Sequence, residues 1–400
     1  MISIDEAIAI VKANIPEPVA EESLLDEALG RTLAEDILAP EPSPRYTNSA
    51  MDGYAVRTGD LLADRSVTLR VVADLPAGNR LDHPLGTGEA VRIMTGAPIP
   101  AGSDCVVMQE LVQRVGDQVL IPVGRVVGEN IRATGEDIRV GDAVLPQGCR
   151  LRPAHLGLLT SLGFAQVRVW RRPVVALLST GDEVIEAGNS LLPGQVYDSN
   201  RSSLRAALMA LGVEVLDLGL VRDSREAIAA AFVRGGEEAD AVISTGGVSV
   251  GDYDLVKEVL LGQGDIHFWQ VAMKPGKPQA YGRLGKAHFF GLPGNPVSGL
   301  TVFLLIVRPA LLRMMGAEDE PPRRLRATFR GVLNKKHSRM DFIRVVAHFE
   351  TDGVWVETTG PQGSGILTSL AKANALMILP EPPVKLTDGD EVTIQLIDYV

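Results

Sequence analysis

The spacing of apolar and polar residues changes several times along this chain, and each change predicts a different kind of element. Ile4, Ile8 and Val11 fall on one face behind Ser3, with Asp5 and Glu6 in the first turn, which predicts a capped helix. Residues 24–39 also read as helical, interrupted at Gly30 and ended by Pro40. Pro40, Pro42 and Pro44 then deny the backbone a helix and predict an extended linker. Short β-type runs at 67–72, 89–93 and 104–108 predict a small β-rich domain, and 153–162 a helix that returns to the N-terminal helices. The β-rich piece is thereby read as an insertion.

From residue 172 the pattern becomes strands alternating with helices. Strands are expected at 174–178, 213–218, 241–244, 266–271 and 289–292, and helices at 203–211, 224–233 and 253–261, with a long apolar helix over 296–315. Short alternating runs at 343–346, 353–357, 375–379 and 391–396 predict a β-barrel or sandwich at the end. The fold class is therefore multidomain α/β: a central, mostly parallel three-layer αβα domain (173–320), an inserted β-rich domain (45–140), a discontinuous N-terminal helical, elongated domain (1–44 and 141–172) and a C-terminal β domain (321–400).

Composition agrees with a globular chain: 46% of its 400 residues are hydrophobic and 22% charged. Lys plus Arg number 39 against 50 Asp plus Glu, a net charge of −11, which argues against nucleic acid or an anionic membrane as partner. An anionic ligand would need locally concentrated cations. Cys105 and Cys149 lie far apart without metal-ligand spacing and read as reduced structural thiols. With no leader-like start and no apolar run of membrane length, the expected location is the cytoplasm.

Ligands of open parallel sheets bind beyond the carboxyl ends of the strands. The loops expected there are Ser179-Thr180-Gly181-Asp182-Glu183, Arg222-Asp223, the stretch from Thr245 to Asp254, Lys274-Pro275-Gly276-Lys277-Pro278 and Pro293-Gly294-Asn295-Pro296-Val297-Ser298. Gly246, Gly247 and Gly251 would let the backbone approach a ligand, and the helix that follows offers unpaired N–H groups to an anion. Taken alone, that stretch reads equally as a tight βα turn or as a ligand loop, and it fits neither dinucleotide nor P-loop spacing. Hydroxyls, glycines and two lysines suit an oxyanion or phosphate. Glu183, Asp223 and Asp254 would repel it unless a hard cation such as Mg²⁺ intervened, although any single carboxylate could equally be a helix cap.

Eight segments together resemble one family, the molybdopterin molybdenumtransferases of molybdenum cofactor biosynthesis, which include the corresponding domain of gephyrin. They are N-S-A-M-D-G-Y-A-V-R (48–57), I-M-T-G-A-P-I-P (93–100), T-G-E-D-I (134–138), S-T-G-D-E (179–183), D-S-N-R (198–201), T-G-G-V-S-V-G-D-Y-D (245–254), K-P-G-K-P (274–278) and L-P-G-N-P-V-S (292–298). The resemblance implies insertion of molybdate into adenylated molybdopterin, with Mg²⁺-dependent hydrolysis of the adenylate and release of AMP. It implies a homodimer whose site is shared between the α/β domain of one subunit and the inserted β domain of the other, and it allows contact with the molybdopterin adenylyltransferase.

Carried over by motif, Asp52, Thr95, Glu183, Asp223 and Asp254 are the expected catalytic residues, with Asp52, Glu183 and Asp223 as metal ligands. Expected substrate contacts are Asp137, Ser179, Thr180, Gly181, Asp182, Ser199, Asn200, Gly246, Gly247, Ser249, Gly251, Lys274, Lys277, Pro278, Pro293, Asn295 and Ser298. From the C-terminal domain come Arg339 or Arg344, between which the sequence does not choose, with Ser364 and Ser369. Gln270 stands where some relatives have lysine after the Phe268-Trp269 pair. Two alternatives are a molybdopterin adenylyltransferase, which resembles 173–320 but lacks the 48–57, 93–100 and C-terminal segments, and a non-catalytic pterin-binding scaffold.

Overall fold

The computed structural model describes residues 1–247, 255–317, 323–351 and 353–397. The first helix, Ile4–Asn14, begins at Ser3 with a reciprocal capping box to Glu6 and buries Ile4, Ala7 and Val11. The helix expected at 24–39 is not formed. Ala20–Leu24 is instead a strand paired antiparallel with Gln166–Trp170, followed by a single 3₁₀ turn, Leu25–Glu27, and a short strand, Ile37–Leu38. Long-range pairing overrides local helix propensity here. Leu25, Ala28, Leu33 and Ile37 bury against Leu145, Leu151, Leu159 and Val167.

Gly53–Val56, Val67–Leu75, Glu89–Ile93, Cys105–Met108, Gln113–Val115 and Gln118–Ile121 form one sheet, with a separate apolar core on each face. The first strand and the last two were not expected from sequence. The central sheet runs in the order Glu214–Val221, Val174–Thr180, Ala241–Thr245, Ala287–Leu292, Pro278–Leu284, Gly264–Gln270. Only Pro278–Leu284 runs against the others, so the loop from Val271 to Lys277 leaves from the same end as the four neighbouring parallel strands. Helices Ser199–Leu211 and Arg225–Glu238 bury against opposite faces, the first with Val175, Leu177 and Ile243, the second with Ala176, Leu178 and Val242. This explains the nearly unbroken apolar strands.

The expected long apolar helix is present as Pro296–Met314, with a π-helical stretch at Phe303–Val307. Pro309 has no N–H for the Leu305 carbonyl, and the wider turn before it accommodates that loss. Its apolar stretch is long enough to cross a membrane but is 83% buried within the protein, as a core helix would be.

Arg324–Phe329, Met340–Glu350, Gly353–Thr358, Ala375–Leu379 and Glu391–Leu396 close into a five-stranded barrel, because Met340–Glu350 pairs with both Gly353–Thr358 and Ala375–Leu379. The barrel alternative of the sequence reading is thus the observed one. One strand crosses between units: Met273–Lys274, from the central-sheet loop, pairs in parallel with Met340 and Asp341.

Candidate functional site

The strand-end loops are tied to one another by named contacts. Ser179 Oγ donates to Asp198 Oδ1 at 3.1 Å, and Asp198 caps the Ser199–Leu211 helix through the Arg201 N–H. Asn200 Nδ2 donates to Thr245 Oγ1 and to the Gly294 carbonyl, both at 2.7 Å, so three loops share one side chain. Gly246 has φ +91°, and a Cβ there would stand 2.6 Å from the Thr180 carbonyl oxygen. A glycine is required for this close approach. The hydroxyls of Thr180 and Ser244 are buried and have no hydrogen-bond partner among the described residues. Two orphaned donors at the ends of neighbouring strands mark a place where a ligand would be favourable. The Val297 N–H donates to the Ser364 carbonyl at 3.3 Å, which brings the barrel loop onto the same rim as buried Pro293 and the exposed Gly294 and Asn295.

Gly181 opens an acidic side. The Asp182 N–H donates to the Asp223 carboxylate at 3.4 Å, and the Asp223 N–H to Asp182 at 3.3 Å. Loss of water on one flank raises the Asp223 pKa, the Asp182 N–H opposes this, and the neighbouring Asp182 and Glu183 carboxylates raise it further. A hard, all-oxygen group with mutual repulsion suits Mg²⁺ held through one or two carboxylates. Among the described residues, however, no group of three or more acidic, histidine or cysteine side chains is placed to hold a metal ion. The expected Asp52, Glu183 and Asp223 set is therefore not assembled within one chain.

The basic side lies toward the barrel. Lys274 is half-buried, with its ammonium 3.8 Å from Asp341, and Gln279 fixes the loop by donating to the Gly276 carbonyl at 2.9 Å. Lys277 and Pro278 are half-buried, and Ser298 is buried in the first turn of the long helix. Along Met340–Glu350, Phe342 joins the core shared with the central sheet while Ile343 and Val345 join the barrel core, as strand alternation requires. Arg344 shares the Phe342 face. It is 1% exposed, with Nε donating to Ser369 Oγ at 3.2 Å and Nη2 to the Gly363 carbonyl at 3.3 Å. Burial lowers its pKa, with Asp341 opposing, yet a guanidinium stays charged. Arg339 reaches only the Met273 carbonyl, at 3.4 Å.

Asp52 and Thr95 meet in the inserted sheet. The Thr95 N–H and hydroxyl donate to Asp52 Oδ1 at 2.8 and 2.7 Å, which holds the carboxyl below its usual range, with Arg92 adding to the effect. Asp137 is exposed in a turn, its N–H donating to the Ser43 carbonyl. Among the described residues, no hydrogen bond or ion pair joins Asp52, Thr95 or Asp137 to the central-sheet loops. Ser249, Gly251 and Asp254 lie outside the described residues. Gln270 is half-buried at the end of its strand. Sequence reasoning missed Asp198 and Asp341. The signal for Asp198 was its place just before Ser199-Asn200-Arg201, a helix-capping position, and for Asp341 its adjacency to the Arg339-Met340 pair.

A cavity of about 1150 Å³ lies elsewhere, between the first helix, residues 304–312 and the barrel, and none of the candidate residues lines it. Its size carries no chemistry, whereas the strand-end loops carry orphaned donors and charge.

Residues 2–163 match the MoeA N-terminal region (domains I and II), 176–313 a probable molybdopterin binding domain, and 326–397 the MoeA C-terminal region (domain IV). A molybdopterin molybdenumtransferase of Haemophilus influenzae is 41% identical over the whole of both chains, and one of Nostoc is 37% identical over 92% of this chain and 86% of that one. The crystal structure of a molybdopterin biosynthesis MoeA protein from Pyrococcus horikosii superimposes with a TM-score of 0.84 at 34% identity, covering 99% of each chain.

Proposed function

The chain belongs to the MoeA family of molybdopterin molybdenumtransferases, enzymes of molybdenum cofactor biosynthesis, and on that premise we propose how its residues divide the work. The substrates are adenylated molybdopterin and molybdate. The observation that carries the reading is Arg344: a buried guanidinium none of whose described hydrogen bonds goes to a carboxylate. A buried cation without a bonded counter-ion is costly alone and favourable beside an anion.

Molybdate, a tetrahedral dianion, is held by Arg344, Ser369, Lys274, Lys277 and Ser298. Arg344 rather than Arg339 takes this role, since Arg344 lies buried within the strand beside Ser369, whereas Arg339 precedes the strand and spends its reach on a backbone carbonyl. Thr180, Ser244 and the Gly246-Gly247 backbone receive the pterin phosphate, whose oxygens would satisfy the orphaned hydroxyls. Ser179, Ser199, Asn200, Pro293, Asn295 and Ser364 shape that pocket, and Ser249, Gly251 and Asp254 belong to the same loop.

Glu183 and Asp223, with Asp182 beside them and Asp52 of a second copy opposite, would hold Mg²⁺, which would supply neutralising charge to the phosphoanhydride; water adds across the bridging P–O bond there and AMP leaves. Burial first, and then the neighbouring Asp182 and Glu183 carboxylates, raise the Asp223 pKa, a setting in which a bound cation would favour the ionised carboxylate. Asp52, Thr95 and Asp137 act from a second copy of the chain, so the enzyme is a homodimer with shared sites, resident in the cytoplasm and able to receive substrate from the molybdopterin adenylyltransferase.

The test is AMP release from purified adenylated molybdopterin by the full-length protein. Release should need both molybdate and Mg²⁺. Release that is equally fast without molybdate, or formation of the adenylate from molybdopterin and ATP, would overturn this assignment.

A further inference from the structure

The seam between the central sheet and the barrel holds a carboxylate that the reaction scheme leaves unused. Asp341 is 3% exposed, and one oxygen, Oδ2, serves two partners: the His337 Nε2–H donates to it at 3.0 Å, and the Lys274 ammonium stands at 3.8 Å. The bond to a carboxylate requires the proton on Nε2, and Nδ1 of the same ring is buried with no partner among the described residues. Lys335 and Arg339 complete the cationic surroundings, and both bear electrostatically on His337. Lys335 Nζ is itself committed to the carbonyls of Pro380, Glu381 and Pro382.

The separation of 3.8 Å is the informative quantity. It is within reach of charge attraction and beyond a hydrogen bond, so Asp341 draws the ammonium without using any of its three N–H donors. Backbone geometry fixes the same pair. Lys274 is registered opposite Asp341 in the parallel ladder, and the Met340 N–H donates to the Ala272 carbonyl at 3.2 Å. Lys274 remains 45% exposed on its side chain, open to a ligand.

We infer that Asp341, oriented by His337, is a positioning residue that holds the Lys274 ammonium at the oxyanion seat with all its donors free. This rests on the reading that Lys274 binds molybdate. Without the carboxylate the lysine stem regains its rotamers and is repelled by its cationic neighbours, so its share of the binding is lost.

Equilibrium dialysis of inorganic molybdate against the full-length protein tests the two readings separately. Lys274→Met and Asp341→Asn should each weaken molybdate binding about tenfold, and the double variant should be no weaker than either alone, because coupled residues are not additive. In turnover, Asp341→Asn should raise KM for molybdate with kcat at saturation changed less than about twofold, a split that a general loss of structure would not give. Asp341→Glu should recover part of the affinity. If Lys274→Met binds normally, the molybdate role of Lys274 fails and the inference with it. If Lys274→Met is weakened while Asp341→Asn binds normally, or if the two losses add, Asp341 does not act through Lys274 and the inference alone is overturned. Melting curves check folding. Should Asp341→Asn not fold, His337→Ala is read in its place: a loss of the same sign supports the proposal and unchanged affinity overturns it.

Discussion

Arg339 and Arg344 illustrate what a single residue's place in a strand decides. Both stand in one basic segment, and their chemistry is identical. Arg339 precedes the strand Met340–Glu350, however, whereas Arg344 lies within it, and only the packing of Phe342 into the shared core reveals that the face carrying Arg344 meets the α/β unit. Exchanging Arg344 for Lys keeps the charge and loses the planar fork that spans Ser369 and the Gly363 carbonyl. Molybdate affinity should fall about tenfold for Arg344→Lys and change less than about twofold for Arg339→Lys, as read by dialysis of the two variants side by side. Equal losses would return the choice to where the sequence left it. Asp52 and Thr95 were each singled out by their motifs, but the hydrogen bonds that join them needed the sheet that brings residues 52 and 95 together.

At the level of elements, the parallel strands were readable because both their faces are buried and their apolar runs are nearly continuous. Residues 24–39 were misread for the converse reason: their Leu, Glu and Ala favour a helix in isolation, and only their distant pairings, Leu33 with Val169 and Ile37–Leu38 with residues 143–145, show what they bury. The Met273–Lys274 strand was equally hidden, being two residues long with its partner about 65 positions away. The loop after Ala241–Thr245 yields a sharper expectation. A methyl group at Gly246 would meet the Thr180 carbonyl at 2.6 Å with φ at +91°, so neither backbone can yield cheaply. Gly246→Ala should therefore abolish AMP release while costing the fold roughly 1–3 kcal/mol. A variant that melts like the wild type and retains full turnover would show that the loop does not need this close approach.

Considered whole, the molecule places the carboxylates proposed for catalysis in two units of one chain. The carboxylate bonded to Thr95 sits in the inserted sheet, and the Asp182, Glu183 and Asp223 group sits at the central sheet. Among the described residues nothing joins them, which fits a site completed by a second copy. Mixing two inactive proteins tests this directly. Asp52→Ala and Glu183→Ala, unfolded and refolded together, should regain up to about a quarter of wild-type activity, because half the random dimers would carry one intact site of two. Separate refolding should regain none. No recovery in the mixture would place both residues in a site made by one chain. The net charge of −11 is no obstacle in either case, since the cations proposed to bind the oxyanion, Lys274, Lys277 and Arg344, come from the loop and the strand that pair at the seam between central sheet and barrel.

That seam also determines how relatives of this chain can be recombined. The obvious graft boundary is the proline-containing junction at 318–322, where the barrel could be exchanged between homologues as a cassette. The strand ladder between Met273–Lys274 and Met340–Asp341 crosses that boundary. A cassette cut there would arrive with a foreign counterpart for the lysine loop, and on the role proposed for Lys274 a chimera should fold well yet bind molybdate less tightly. Carrying residues 271–278 with the barrel would keep the ladder native, which makes the functional module discontinuous in the gene although it is continuous in space.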